Sequence, residues 1–381
     1  MNATLNFNTE PDTRRFYLVA SAGAPNFGDE FITRAWLDWL AENHPTAEVW
    51  LDCIHPGRAT HLFADTHPRL RVTNTLWQLA HTEVLSDLTA DRQRAERLIA
   101  TLGSPQYDLG LEDLRQMTSV HFLGGGYLNS LWETNLTMVA AAAELRRLFG
   151  VPIYATGAGL MPATGEAQRH LSEGFASFDV VEARDAPSAE TFGVRAGIDD
   201  AFLAFGTERR IFGDYPTPDR MVLIQGDFVA DEQREHLRTR IREMVREAGS
   251  ERIGFVEAYP PRDAEFVPPV EETPNVDFFP FMRIWQEGLP MRPGQSWLTT
   301  RFHFHLLAAA AGAAGLALAA DDEYYAVKHG SLTALGTGWR VSSLDDWLAS
   351  AARPEASGSL PAERLATLVE QKLTLARVLY G

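Results

Sequence analysis

The chain reads as an α/β protein in which two Rossmann-like domains face each other across a cleft. Three observations predict this. Short apolar runs alternate with helical segments, the rhythm of βαβ units, which implies parallel sheets covered by helices on both faces. The rhythm occurs twice, and the Pro-containing stretch IFGDYPTPDR, Ile211–Arg220, separates the two sets. The length, 381 residues, is more than one ordinary core organises, since domains usually run to ~100–200 residues. The expected division is residues 14–210, a linker at 211–220, a second domain at 221–355, and a helix at 356–381 placed to pack back on the first domain.

In the first set, FYLVASAG (Phe16–Gly23) reads as a buried strand ending in small residues. A helix follows from about Asp29, with Phe31, Ile32, Ala35, Trp36 and Trp39 near helical spacing. AEVWLDCI is the next strand, and His55–Gln116 is polar and irregular with a helical piece around Asp91–Thr101. SVHFLGGG is a strand running into glycines, and LWETNLTMVAAAAELRRLFG a helix closed by Gly150. VPIYATGAG and DVVEARD are strands, with SAETFG a short helix. In the second set, MVLIQGDF, ERIGFVEA, SWLTTRF, GLALAA and WRVSS read as strands. A long charged helix, an alanine-rich helix and a helical DEYYAVKHGSLTALG lie between them, and PAERLATLVEQKLTLARVLY is the final helix.

Composition narrows the function. Hydrophobic residues make up 45% and charged ones 22%, as in soluble globular proteins. Acidic residues number 51 against 34 basic ones, a formal charge of −17, so no nucleic-acid partner is expected. The single cysteine, Cys53, excludes an intramolecular disulfide, fits a reducing cytoplasm, and reads as a small buried hydrophobe. The N-terminal stretch lacks the features of a signal peptide. The most apolar run, His305–Ala320, is shorter than a membrane span, so no transmembrane segment is expected. No cluster has metal-ligand spacing, and no metal or cofactor is expected.

In open α/β sheets, ligands bind beyond the carboxyl ends of the strands. SAGAPNFGDE puts Asn26, Gly28 and Asp29 at the first such end. Helix-start amides attract anions and glycine admits a close approach; Asp29 either serves the site or caps the helix. HFLGGGYLN carries Gly124, Gly125 and Gly126, which make room for a ligand or for a tight strand-to-helix crossing, and ATGAG repeats the device. VVEARD puts Arg184 and Asp185 at a strand end. The arginine can fork onto a phosphate or carboxylate, while Asp185 orients it or caps the next helix. Arg301 and His303 lie two apart, so in an extended segment they share a face. Facing the cleft, they supply a fixed cation and a proton donor. His305 is a weaker candidate, one step deeper into the helix. Lys328 and His329 add positive charge or form a solvated surface pair.

NFGDEFI, HFLGGGYLN, IYATGAGL, FDVVEARDAPSAETFGV, DDAFLAF, TTRFHFHLLAAAAGA and VKHGSL, in this order, resemble the polysaccharide pyruvyl transferase family. The resemblance covers about Phe16–Leu335. It implies a fold similar to the two-domain GT-B glycosyltransferases, with the site between the domains. It implies phosphoenolpyruvate as donor, a glycan or lipid-linked sugar as acceptor, and a pyruvate ketal as product. By the same resemblance Arg184 and Arg301 hold donor anions and His303 is the acid. Gly124, Gly125, Gly126, Asn26 and Lys328 complete the expected donor site, with Asp29 as a catalytic carboxylate. The alternatives are a GT-B-type glycosyltransferase using a nucleotide sugar and a diverged, non-catalytic member.

Overall fold

In the computed structural model, residues 13–381 are described except 86, 103–105, 228, 270–272, 321–323 and 351–356. The first seven strands are β1 (Arg15–Ala20), β2 (Glu48–Cys53), β3 (Leu70–Thr73), β4 (Ser119–Phe122), β5 (Ile153–Ala158), β6 (Val180–Ala183) and β7 (Arg195–Ala196). They form one sheet in the order β3-β2-β1-β4-β5-β6-β7, and every pairing is parallel. The second sheet holds β8 (Arg220–Leu223), β9 (Ile253–Val256), β10 (Val276–Phe279), β11 (Ser296–Thr299), β12 (Ala314–Ala319) and β13 (Arg340–Ser343). Its order, β10-β9-β8-β11-β12-β13, is again all parallel. Each sheet therefore reverses its winding beside its first strand, at β1/β4 and at β8/β11, and opens a crevice there.

The strands are apolar because both faces are covered. Phe16, Tyr17, Leu18, Val19 and Ala20 of β1 are all buried. The helix Leu136–Phe149 stops at Gly150, whose left-handed φ of 70° suits a residue without a Cβ. The linker stretch joins the second domain: Gly213 donates to the Leu289 carbonyl, and Leu289 donates to that of Ile211. His55–Gln116, expected to be irregular outside a helical piece around Asp91–Thr101, is mostly ordered: that piece is helix Leu88–Thr101, and helices Pro56–Leu62, Thr75–His81 and Asp108–Leu114 and strand β3 join it. The three further helices are seven residues each, too short to show a periodicity on the page.

An apolar contact and the last helix help to hold the domains together. At the start of helix Phe27–Asn43, Phe27 packs against Phe281, Trp285 and Phe304 of the second domain, with ring centroids 5.4–5.9 Å apart. The Phe27 amide also donates to the Ala258 carbonyl at 2.9 Å. The last helix, Ala362–Tyr380, lies on the first domain. Its Lys372 donates to Glu182 at 2.6 Å, to the Ile198 carbonyl at 2.8 Å and to Asp200 at 2.9 Å. Its Tyr380 hydroxyl is 2.8 Å from His121 Nδ1. A fully buried lysine is tolerable only with such partners.

Candidate active site

A cleft of about 640 Å³ lies between the domains at the carboxyl ends of the strands. Asn26, Asp29, Gly126 and Arg184 line it from the first domain, and Arg301, His303 and Lys328 from the second.

Arg184 leaves the end of β6 and is fixed by Asp199, whose Oδ2 accepts from Nη1 at 2.8 Å. Its guanidinium stacks over Phe302 of the opposite domain, 4.4 Å from the ring centroid. Asp199 Oδ2 also stands 3.4 Å from His303 Nε2, an ion-pair distance without hydrogen-bond alignment. One buried carboxylate thus faces a guanidinium from one domain and an imidazole from the other. Burial alone would raise the Asp199 carboxyl; His303 and Arg184 outweigh it and hold the group well below the usual carboxylate range. Its other oxygen accepts from the Ala201 amide at 2.8 Å. His303 packs directly on the helix start that follows β1, since a Cβ built on Gly28 would come within 1.9 Å of its Nδ1.

Arg301 precedes helix Phe302–Ala310 and is heavily engaged. Its Nη2 donates to Asp227 and to Asp263, each at 2.6 Å, its Nε to Asp263 at 3.2 Å and its Nη1 to Asp227 at 3.3 Å. Burial opposes its charge, but Asp263 and Asp227 prevail and push its pKa further up. Asp263 is itself a hub: it accepts from the amides of Gly226, Ala258 and Tyr259, which fixes the loops after β8 and β9 around the arginine.

Asp29 does not cap its helix. Its carboxylate accepts from Asn26 Nδ2 at 2.9 Å and borders the cleft. Burial raises its pKa, against the pull of His303, Lys328 and Arg184. Lys328 lies over the Tyr325 ring, 5.1 Å from its centroid. Burial, with Arg184 and Arg301 adding to it, pushes its pKa well below the usual value for lysine.

Several expectations need correction. Gly124 does not face a ligand: its amide donates to Asp200 at 2.9 Å, and a Cβ would meet that carboxylate. Gly125 is outside the cleft lining; its φ of 144° requires glycine, and a Cβ would stand 3.3 Å from Asp29 Oδ1. Of the three glycines only Gly126 lines the cleft. Asp185 caps the following helix, accepting from the Ser188 amide at 2.8 Å. His305 is fully buried, stacked on Trp339 and 2.9 Å from Thr337 Oγ1. Lys328 and His329 are no surface pair, since Lys328 lines the cleft and His329 is wholly buried.

Sequence reasoning missed Asp263 and Lys372, and it gave no role to Asp199 and Asp200, although both stand in the quoted DDAFLAF. It also assigned nothing to Trp77, His81 and Trp132, which line the cleft from the first domain. Two signals were present. Lys372 interrupts the apolar stripe of Leu368, Leu375 and Leu379, and Trp77 and His81 are spaced i, i+4.

Two parallel Rossmann-like sheets with a polar, cation-lined cleft at their facing strand ends define the GT-B class of α/β proteins. Solved structures agree on the fold. A protein from Listeria monocytogenes provisionally assigned as a UDP-N-acetylglucosamine 2-epimerase matches with a TM-score of 0.51 at 12% identity, covering 95% of this chain and 88% of that one. A UDP-N-acetylglucosamine 2-epimerase from Rickettsia bellii matches at 0.50 and 10%, covering 97% and 96%. A UDP-glucosyltransferase from Polygonum tinctorium matches at 0.50 and 10%, covering 97% and 93%. At such identities the likeness shows the fold alone. No curated protein matches the chain by sequence. The family model described as polysaccharide pyruvyl transferase matches residues 26–322, and the chain belongs to that transferase family. Among the described residues, no helix is long and apolar enough to cross a membrane.

Proposed function

We propose that the protein transfers pyruvate from phosphoenolpyruvate to two hydroxyls of a sugar in a cell-surface glycan or its lipid-linked precursor, forming a ketal. The observation that carries this reading is Asp199 flanked by Arg184 from one domain and His303 from the other. A donor bearing a carboxylate and a phosphate needs fixed positive charge, and its methylene carbon needs an acid. Arg184 supplies that fixed charge next to the donor, and Lys328, whose charged form burial disfavours, gains its proton as the anion arrives. Arg301, already held by two carboxylates, contributes mainly through its field, with only one Nη1 hydrogen left to offer.

His303 protonates the methylene carbon, which leaves an oxocarbenium-like centre at the neighbouring carbon. One sugar hydroxyl attacks there and loses its proton. Phosphate departs with the electrons of its C–O bond, and the second hydroxyl closes the ring and gives up its own proton. One of the two hydroxyl protons restores His303 and the other leaves with phosphate. General acid catalysis of this kind contributes ~10²–10⁴-fold, and cations near the phosphate stabilise the charge that gathers on it. In this scheme Asp29, whose pKa is raised by burial, relays the second hydroxyl proton to the departing phosphate.

The test is donor dependence. The protein is incubated with phosphoenolpyruvate or with nucleotide sugars, each with a panel of glycans, and released phosphate and nucleotide are measured. Phosphate release matching loss of phosphoenolpyruvate is expected. Nucleotide release without phosphate would reject the proposal.

A further inference from the structure

We infer that the first-domain wall of the cleft is a carbohydrate subsite that takes one face of a neutral pyranose ring, with Trp132 as its outer platform and the Trp77–His81 stack as its inner one. The inference rests on the transfer reading above and names where the acceptor sugar lies.

Trp77, His81, Tyr127 and Trp132 line the cleft from the first domain, whereas Arg301, Lys328 and His303 come from the second. Three of these aromatic side chains have their polar handles already spent. The Trp77 indole N–H donates to the Ala20 carbonyl at 3.0 Å. The Tyr127 hydroxyl is held by the carbonyls of Val19 and Leu123. His81 Nε2 is 2.8 Å from Asn135 Oδ1. Trp77 and Tyr127 are only 4% and 5% exposed, so they act as a rigid backing and the ring surface open to the cleft is mainly that of the exposed His81. The rings of Trp77 and His81 are stacked, 5.6 Å apart at 22°, and Tyr127 lies 5.9 Å from Trp77.

Trp132 stands apart because it is 48% exposed while lining a cleft. The segment that carries it breaks from helical geometry at that residue, with φ −130° and ψ 53°. A large apolar side chain held half in water on a cleft wall is what a ligand, rather than the fold, would cover. A pyranose matches this surface. The C–H bonds on one ring face carry partial positive charge and meet the negative face of an aromatic ring. Its hydroxyls remain for Ser21 and Asn26, which also line the cleft. The anionic donor then occupies the cationic side, and the sugar hydroxyls point from the aromatic wall toward it.

The experiment is saturation-transfer difference NMR on the full chain. The probes are the methyl pyranosides of glucose, galactose, mannose and N-acetylmannosamine, with uridine as a stacking control. The wild type is expected to saturate protons on one ring face of at least one pyranoside. Trp132→Ala should weaken that binding by roughly two- to tenfold, the worth of one aromatic contact, while Trp132→Phe restores most of it. Gly57→Ala, where an added Cβ meets nothing within 4 Å, should leave it unchanged. No saturation of any pyranoside, equal affinity for wild type and Trp132→Ala, or saturation of uridine alone would each overturn the inference. A pyranoside bound on this face by a protein that never consumes phosphoenolpyruvate would instead sink the transfer reading and leave the subsite standing.

Discussion

Gly28→Ala is the sharpest perturbation the site offers. Gly28 is the second residue of helix Phe27–Asn43, and its φ is not positive, so alanine fits the backbone there. Alanine is the better helix former by about 0.5–1 kcal/mol, so the fold should not suffer from the backbone change. The added Cβ, however, would lie 1.9 Å from His303 Nδ1, where ordinary contact begins at 3.4 Å. The imidazole must retreat by roughly the difference, about 1.5 Å, and a displacement near 1 Å at a reacting group can remove about 10² in rate. We expect kcat/KM for phosphate release from phosphoenolpyruvate to fall by about 10²-fold or more, with a melting temperature close to that of the wild type. Gly57→Ala is the control: a Cβ there meets nothing within 4 Å, and both readouts should hold. Activity in Gly28→Ala within a few-fold of wild type would show that His303 does not act from this position.

Asp199→Asn should lower kcat by roughly 10²-fold or more, since it removes the charge that faces the acid, with His303→Ala doing the same while calorimetric donor binding persists. Because the Asp199 carboxyl ionises below an unfolded aspartate, the stability it contributes is complete above about pH 4 and is lost as pH falls toward the lower folded-state value. Melting curves of wild type and Asp199→Asn should therefore keep a constant separation from pH 5 to 8. Glu30 behaves oppositely: burial pushes its carboxyl up to about 8, so the stability it contributes at low pH is lost as pH rises toward that value. Glu30→Gln should raise the melting temperature more at pH 8 than at pH 5, and an equal shift at both would refute the assignment. Lys372→Met should lower unfolding free energy by about 3–5 kcal/mol in denaturant titrations, because Glu182 and Asp200 are left buried without their cation. Adding Glu182→Gln and Asp200→Asn should recover part of the loss.

The architecture was legible because it is written locally. Buried parallel strands are continuous apolar runs, and Gly126 after β4 and Arg184 after β6 mark the crevice at their ends without knowledge of any contact. The exceptions have local causes too. Strand β7 is two residues long, too short to show a pattern, and β10 mixes Asp277 into an otherwise apolar stretch. Partners were not legible, because pairing is a property of distance across the fold. Nothing near Arg301 announces Asp263, 38 residues away, as the acid that fixes it. Gly124 looked like a ligand position because room for a ligand and room for a buried carboxylate leave the same sequence trace. The pair Asp199-Asp200 is the instructive case. The two acids are adjacent in sequence yet face opposite ways, Asp199 toward the cleft cations and Asp200 toward Trp36, Thr156 and Lys372 in the core. Residue type alone cannot say which is which.

In the proposed reaction that arrangement would let His303 cycle as an acid. Lys372 bonds to the Ile198 carbonyl and to Asp200, on both sides of Asp199, so the carboxylate is held from beneath by the C-terminal helix. Its closer cation is Arg184 at 2.8 Å, and its looser one is His303 at 3.4 Å. When the imidazole gives up its proton, Asp199 loses the looser partner and keeps the one that never titrates, so no buried anion is stranded. Had the acid been paired to the histidine alone, proton transfer would leave an uncompensated charge in the interior and oppose the step. The cost of the arrangement is that the site exists only with the domains together. Its arginine and aspartate belong to one sheet and its histidine to the other, and Phe27 against Phe281, Trp285 and Phe304 keeps them in register. Loosening that apolar contact should therefore reduce turnover before it unfolds either domain.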